Sequence, residues 1–183
     1  MSLLWIILGI VALLGLYLIF SYNRLIVLRN RIDNAWSQID VQLKRRTDLI
    51  PNLIATVKGY AKHEKSLLEN ITKARSAIMK APSLAAKAKA DNVLSGALKS
   101  LFAVAENYPQ LRANENFLQL QEELSGTESK IAYARQFFND AVLDFNNLLQ
   151  RFPTNMIGGW LKFTPREFFK VPEHERKNVK VSF

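Results

Sequence analysis

"KRRTDLIPNL", Lys44 to Leu53, decides how the rest of the chain folds. It lies inside a run whose apolar residues recur at steps of three and four: Leu25, Leu28, Ile32, Trp36, Ile39 and Leu43, then Ile50, Leu53, Val57 and Tyr60. That is the period of a helix, not of a strand. Pro51 interrupts the run. A proline inside a helix lacks the amide that bonds four residues back, and its ring presses on that carbonyl, at a cost of about 3 kcal/mol. Within the first turn the cost largely vanishes, because the early amides have no intrahelical partner anyway. Thr47 or Asp48 is a good N-cap. The residues therefore predict a tight reversal around Arg45 to Asp48, with Pro51 starting a new helix. The rival reading keeps one kinked helix over 22–80.

Working outward, the same periodicity continues through Leu67, Ile71, Ala74 and Ile78, and again through Phe117, Leu120, Leu124, Ile131, Phe138, Val142, Phe145 and Leu149. Pro82, Pro109 and "FPTN" after Arg151 mark boundaries. The prediction is an all-α chain with helices over about 22–45, 48–80, 83–108 and 114–151. Each has one apolar stripe and one polar face, so each needs partners. Short breaks between long helices predict an antiparallel four-helix up-and-down bundle with coiled-coil-like packing.

The N-terminus is of another kind. Leu3, Leu4, Trp5, Ile6, Ile7, Leu8, Val11, Leu13, Leu14, Leu16, Leu18, Ile19 and Phe20 fall in an uncharged stretch. As a helix it measures about 27 Å, close to the thickness of a bilayer's hydrocarbon core. A cleaved signal peptide fits poorly, since there is no cationic lead-in and no A-x-A site. Arg24, Arg29 and Arg31 crowd its C-terminal flank, which predicts a single-pass anchor with the N-terminus outside and the body cytoplasmic. Gly9, Ala12 and Gly15 permit close approach of a second helix within the membrane. The expected organisation is an anchor over 1–21, a bundle over 22–151 and a tail over 152–183.

The 183 residues leave no room for a second large domain. The absence of cysteine removes disulfides and thiolate chemistry. The net charge of +9 raises nucleic acid as a partner, but the cations are mixed with acids and form no basic stripe interleaved with aromatics. Lipid headgroups are the expected anionic partner, and no nucleic acid is expected.

Chemistry is sparse. The two histidines, His63 and His174, carry no metal or catalytic spacing, and there is no nucleophile elbow or phosphate loop. Asp40, Asp48, Glu64, Glu123, Glu128, Asp140 and Asp144 are candidates to meet inside a bundle. The Glu-x-x-His of di-metal bundles is absent. The expectation is a polar layer near a bundle end, in which Arg46 and Arg135 pair with acids and fix helix register. Trp36, Tyr60, Tyr133, Phe137, Phe138 and Phe145 are read as core, not as a ligand pocket. In the tail, Met156, Ile157, Trp160, Leu161, Phe163, Phe168 and Phe169 alternate with Lys162, Arg166 and Lys170, which suits either a membrane-interfacial or partner surface or a lid on the bundle. The reversal at Pro51 returns this tail to the bilayer; the kinked-helix rival points it away.

Three blocks, "NAWSQIDVQLKRRTDLIPNLIATVKGYAKHE", "NENFLQLQEELSGTESKIAYARQFFNDAVLDFN" and "FPTNMIGGWLKFTPREFF", carry a likeness. Through Asn34, Ala35, Trp36, Asp40, Arg46, Asp48, Pro51 and Asn52, and through Glu128, Ile131, Ala132, Ala134, Arg135, Asn139, Asp140 and Asn146, the chain resembles the LemA family of bacterial membrane-anchored proteins. The resemblance implies one transmembrane helix followed by a four-helix bundle. It implies no settled activity, and a relative in magnetosome membranes suggests membrane organisation at most. The expected function is a non-enzymatic scaffold or adaptor of the bacterial inner membrane. It is expected to self-associate, to use no cofactor or metal, and to meet lipids and a protein partner the sequence does not name. A carboxylate- or metal-dependent enzyme and a membrane-remodelling oligomer are the alternatives.

Overall fold

The computed structural model describes residues 2–61 and 63–169, and every regular element among them is a helix. In chain order these are α1 (Ser2–Lys58), α2 (Lys65–Lys80), α3 (Leu84–Ala105), α4 (Pro109–Arg112), α5 (Glu115–Gln150) and α6 (Thr154–Trp160). The expectations for Lys170 and His174 lie outside the described residues. Two compact units are formed, one from Met1–Ser37 with Gln136–Phe168, the other from Gln38–Arg135 together with Phe169.

The reversal expected at Arg45 to Asp48 is not there. α1 runs unbroken through Pro51 and ends at Lys58. Thr47 caps nothing; its hydroxyl donates to the Lys44 carbonyl within the helix, and Asp48 pairs with Lys44 one turn back. The reason is a tertiary contact. Proline at 51 leaves the Thr47 carbonyl without its amide, and Arg75 Nε of α2 donates to that carbonyl at 2.8 Å. The bond lost along the chain is replaced from the side, so the proline sits in a helix interior without leaving a buried acceptor unpaired.

The break falls instead over 59–64, inside the helix predicted for 48–80. Gly59 follows the last helical residue, where glycine disfavours continuation. Tyr60 and Ala61 both donate to the Val57 carbonyl. In the second unit this connection is tied to the one near residue 110: Tyr108 Oη donates to Glu64 at 3.0 Å, and Asn114 Nδ2 to Tyr60 Oη at 3.1 Å. Asn114 also caps α5 by accepting from Phe117 N, and Ser83 caps α3 by accepting from Ala86 N. Pro109 opens α4, a use of proline in line with expectation. α2 and α3 pack on each other.

Within each unit the partners of α1 and α5 run in opposite order along the chain. In the first, Arg31 meets Asp144 and Trp36 meets Phe138; in the second, Arg46 meets Glu128 and Tyr60 meets Asn114. The two helices are antiparallel in both. A continuous α1 was expected to direct the tail away from the anchor. That is corrected: in the first unit Thr154 Oγ1 lies 3.1 Å from Tyr17 Oη.

The core is close to the predicted stripe, with slips of one residue. Ala35 is buried and Trp36 only half-buried, its ring edge-on to Phe138; Leu68 is buried where Leu67 is half so. Phe138 and Phe145 are core, whereas Tyr60, Tyr133 and Phe137 are exposed, a correction to the reading of all six aromatics as core. Phe137 lies under the Arg31 guanidinium, 5.1 Å from ring centre to Cζ.

A double-mutant cycle tests the replaced bond. Arg75→Met should cost about 1–3 kcal/mol, the penalty of a buried acceptor left unpaired. With Pro51→Ala in the same chain the new amide at position 51 serves Thr47, and the cost should shrink. Urea midpoints of the four proteins decide; additive effects would show that Pro51 and Arg75 do not act on one carbonyl.

Candidate functional site

The second unit holds the one buried ionic cluster among the described residues. Its parts occupy stripe positions. On α1, Arg46 falls three residues after Leu43 and four before Ile50; on α3, Asp91 falls between Ala88 and Leu94. Helical spacing thus drives both side chains into the core, where they are 1% and 2% exposed. α5 supplies Glu128 and Arg135, seven residues apart on one side of that helix.

The bonds are specific. Asp91 Oδ1 accepts from Arg46 Nη1 at 2.8 Å and Oδ2 from Arg135 Nη2 at 2.8 Å, so each carboxylate oxygen is held by a different helix. Arg46 Nη2 also donates to Glu128 Oε2 at 3.4 Å. Two guanidiniums face two carboxylates and the charges balance. Burial pushes the Asp91 carboxyl above its ordinary range, while Arg46 and then Arg135 pull against that shift. Phe169 closes one side, its ring 4.6 Å from Arg135 Cζ. A recess of about 230 Å³, bounded by Leu98, Phe102, Leu124 and Glu128 among others, opens onto Arg46.

Chemically this arrangement clamps helices. A carboxylate with both oxygens engaged by guanidinium hydrogens is poorly placed to accept a proton from a substrate. The nearby hydroxyls of Thr47 and Thr127 donate to backbone carbonyls three residues back. Among the described residues no three His, Asp or Glu side chains are grouped as a metal site needs.

The structure brings Arg46, Glu128 and Arg135 together but leaves other expected residues apart. Asp40 pairs with Lys87, and Asp48 with Lys44. Asn34, Asn52 and Asp140 are exposed and Asn139 is half-buried. Asn146 has a separate task in the first unit: its amide donates to the Arg166 carbonyl and accepts from the Arg166 amide, both at 2.9 Å, holding the tail to α5. Of the flanking cations, Arg24 is exposed, Arg29 half-buried, and Arg31 engaged with Asp144. The tail residues divide. Ile157 and Phe169 are buried and Phe163 packs edge-on between Tyr22 and Phe145, whereas Met156, Trp160, Leu161 and Phe168 are exposed. Asp91, the centre of the cluster, was missed. The signal was present as an acid in the apolar stripe of 88, 91, 94, 98 and 101, hidden because "KAKAD" reads as a mixed-charge surface.

These features define an all-helical protein with one long, apolar N-terminal helix, fastened internally by a buried arginine–carboxylate cluster. The LemA family model matches residues 35–183. The chain is 30% identical over 165 residues to Protein LemA of Metamycoplasma hominis, covering 87% of this chain and 74% of that one. It belongs to the LemA family. It is also similar to Magnetosome protein MamQ 2 of Paramagnetospirillum magneticum, at 23% identity over 179 residues, and to Magnetosome protein MamQ of Magnetospirillum gryphiswaldense, at 24% over 178. These matches take in 84% and 83% of this chain and 66% and 65% of the relatives, just under two thirds of their length.

Proposed function

We propose that this protein is a non-enzymatic, single-pass membrane scaffold, with its N-terminus outside and its helical body in the cytoplasm of a bacterial cell. One observation carries the reading: α1 changes character without breaking. From Leu3 to Phe20 its apolar side chains are exposed, with Leu3, Trp5, Leu13 and Phe20 at 68–71%, while from Leu25 the same helix buries a stripe. By length and composition it is the one described helix able to cross a membrane. An apolar face of this size needs a cover, and lipid supplies it. The flanking Arg24, Arg29 and Arg31 set the orientation.

Antiparallel α1 and α5, with α2 packed on α3, support an up-and-down four-helix bundle over 22–151, and a cluster whose central carboxylate has both oxygens held by guanidiniums suits a rigid spacer more than a reaction centre. Self-association of anchors is part of the proposal, since Gly9, Ala12 and Gly15 are small enough to let a second helix approach, although Gly9 and Gly15 do not form G-x-x-x-G. Organising membrane-associated partners is the role in keeping with the magnetosome names of two relatives.

A reporter active only in the cytoplasm, fused after Phe183, should be active; activity from an exterior-specific reporter at the same place overturns the orientation. Metal analysis of the purified protein tests the non-enzymatic part, which a stoichiometric transition metal would overturn.

A further inference from the structure

We propose that the outward face of α6, Met156 and Trp160 with Phe152 in the turn before it, is a ridge that contacts lipid at a fixed depth in the headgroup region of the bilayer α1 crosses. This rests on the reading of α1 as an anchor and adds a second, peripheral lipid contact to it.

α6 is apolar on both sides. Thr154, Ile157 and Gly158, spaced three and four apart, form the buried side. Met156 and Trp160, one turn apart on the other side, are 67% and 77% exposed, and Phe152 is 80% exposed. Burial against the rest of the first unit explains the inner side only.

The depth follows from the tether. Thr154 bonds Tyr17, which lies about one turn inside the apolar stretch ending at Phe20. α6 is held closely to α5 as well: a Cβ at Gly158 would collide with Leu149 Cδ1. The short approach to Leu149 gives position 158 a packing reason to be glycine. Beyond α6 the chain turns through Lys162, at φ 57, and Asn146 grips Arg166. Both ends of α6 are therefore fixed.

Lipid is the occupant that fits. Trp and Phe beside an apolar span are the residues of the interfacial belt, and exposed Arg151 and Lys162 at the ends of α6 suit lipid phosphates. Three side chains offer far less than the about 800 Å² per partner of a stable protein interface.

The test uses the full chain in phosphatidylethanolamine–phosphatidylglycerol vesicles whose acyl chains are brominated either near the carbonyl or near the middle. Trp5→Phe with Trp36→Phe leaves Trp160 as the single reporter; Trp36→Phe with Trp160→Phe leaves Trp5. Trp160 emission should lose at least half its intensity with the shallow bromines, lose less with the deep ones, and resist aqueous iodide, while Trp5 is quenched by lipid in its own variant. Trp5 quenched with Trp160 open to iodide overturns the ridge and spares the anchor. Trp160 shielded from both quenchers also overturns it, in favour of a protein cover such as a second copy. If neither tryptophan is quenched by lipid, anchor and ridge both fail.

Discussion

Asp91→Leu is expected to destabilise the protein by about 3–5 kcal/mol, because it strips both arginines of a shared carboxylate and leaves Arg46 buried with only the longer bond to Glu128. That is a large part of the 5–15 kcal/mol typical of a folded domain. Pairing the change with Arg46→Met should recover most of the loss, since the buried cation goes together with its anion and two apolar side chains fill similar volume. Arg135 then keeps its partly exposed place, where water supports its charge. Urea unfolding of the full chain in mild detergent, followed by helical circular dichroism, gives the values. If Asp91→Leu leaves the midpoint unchanged, the cluster does not hold α1, α3 and α5 together.

Phe145→Ala should cost about 3–5 kcal/mol, the range for emptying a buried aromatic site. Its ring is 1% exposed and meets Phe163 at 6.3 Å, edge to face, so its loss also frees the tail residue that rests on it. Tyr133→Ala, although it removes an aromatic of the same helix, should stay within about 0.5 kcal/mol, because that ring is 74% exposed. The same urea experiment separates the two. Equal effects would mean that α5 is rotated relative to the face described for it.

Helical class and most of the core were legible because period alone fixes which face of a helix is apolar. Leu25, Leu28, Ile32, Ile39, Leu43, Ile50, Leu53 and Val57 are all buried as spacing required. Rotational detail was less legible: steps of three and four admit a neighbouring residue, which is how Trp36 stood in for Ala35. The cluster was legible by half. Arg46 and Arg135 were expected to pair with acids near a bundle end, but a sequence does not say which helix lies opposite, and Asp91 comes from α3. In the tail, composition marked seven apolar residues together, and only packing separates Ile157, Phe163 and Phe169 from Met156 and Trp160.

The sequence by itself determined that the chain is helical, that its first helix begins with an uncharged apolar stretch, and that the later segments must pack through apolar stripes, because these depend on residue chemistry and period alone. Tertiary structure alone decided where α1 ends and which charges meet. The penalty of Pro51 is a local property, but its remedy is Arg75, a residue of α2 that reaches the orphaned Thr47 carbonyl only once the helices have packed. A bond supplied from another helix leaves no periodic trace along the chain, so the same proline that reads as a helix start lies inside one.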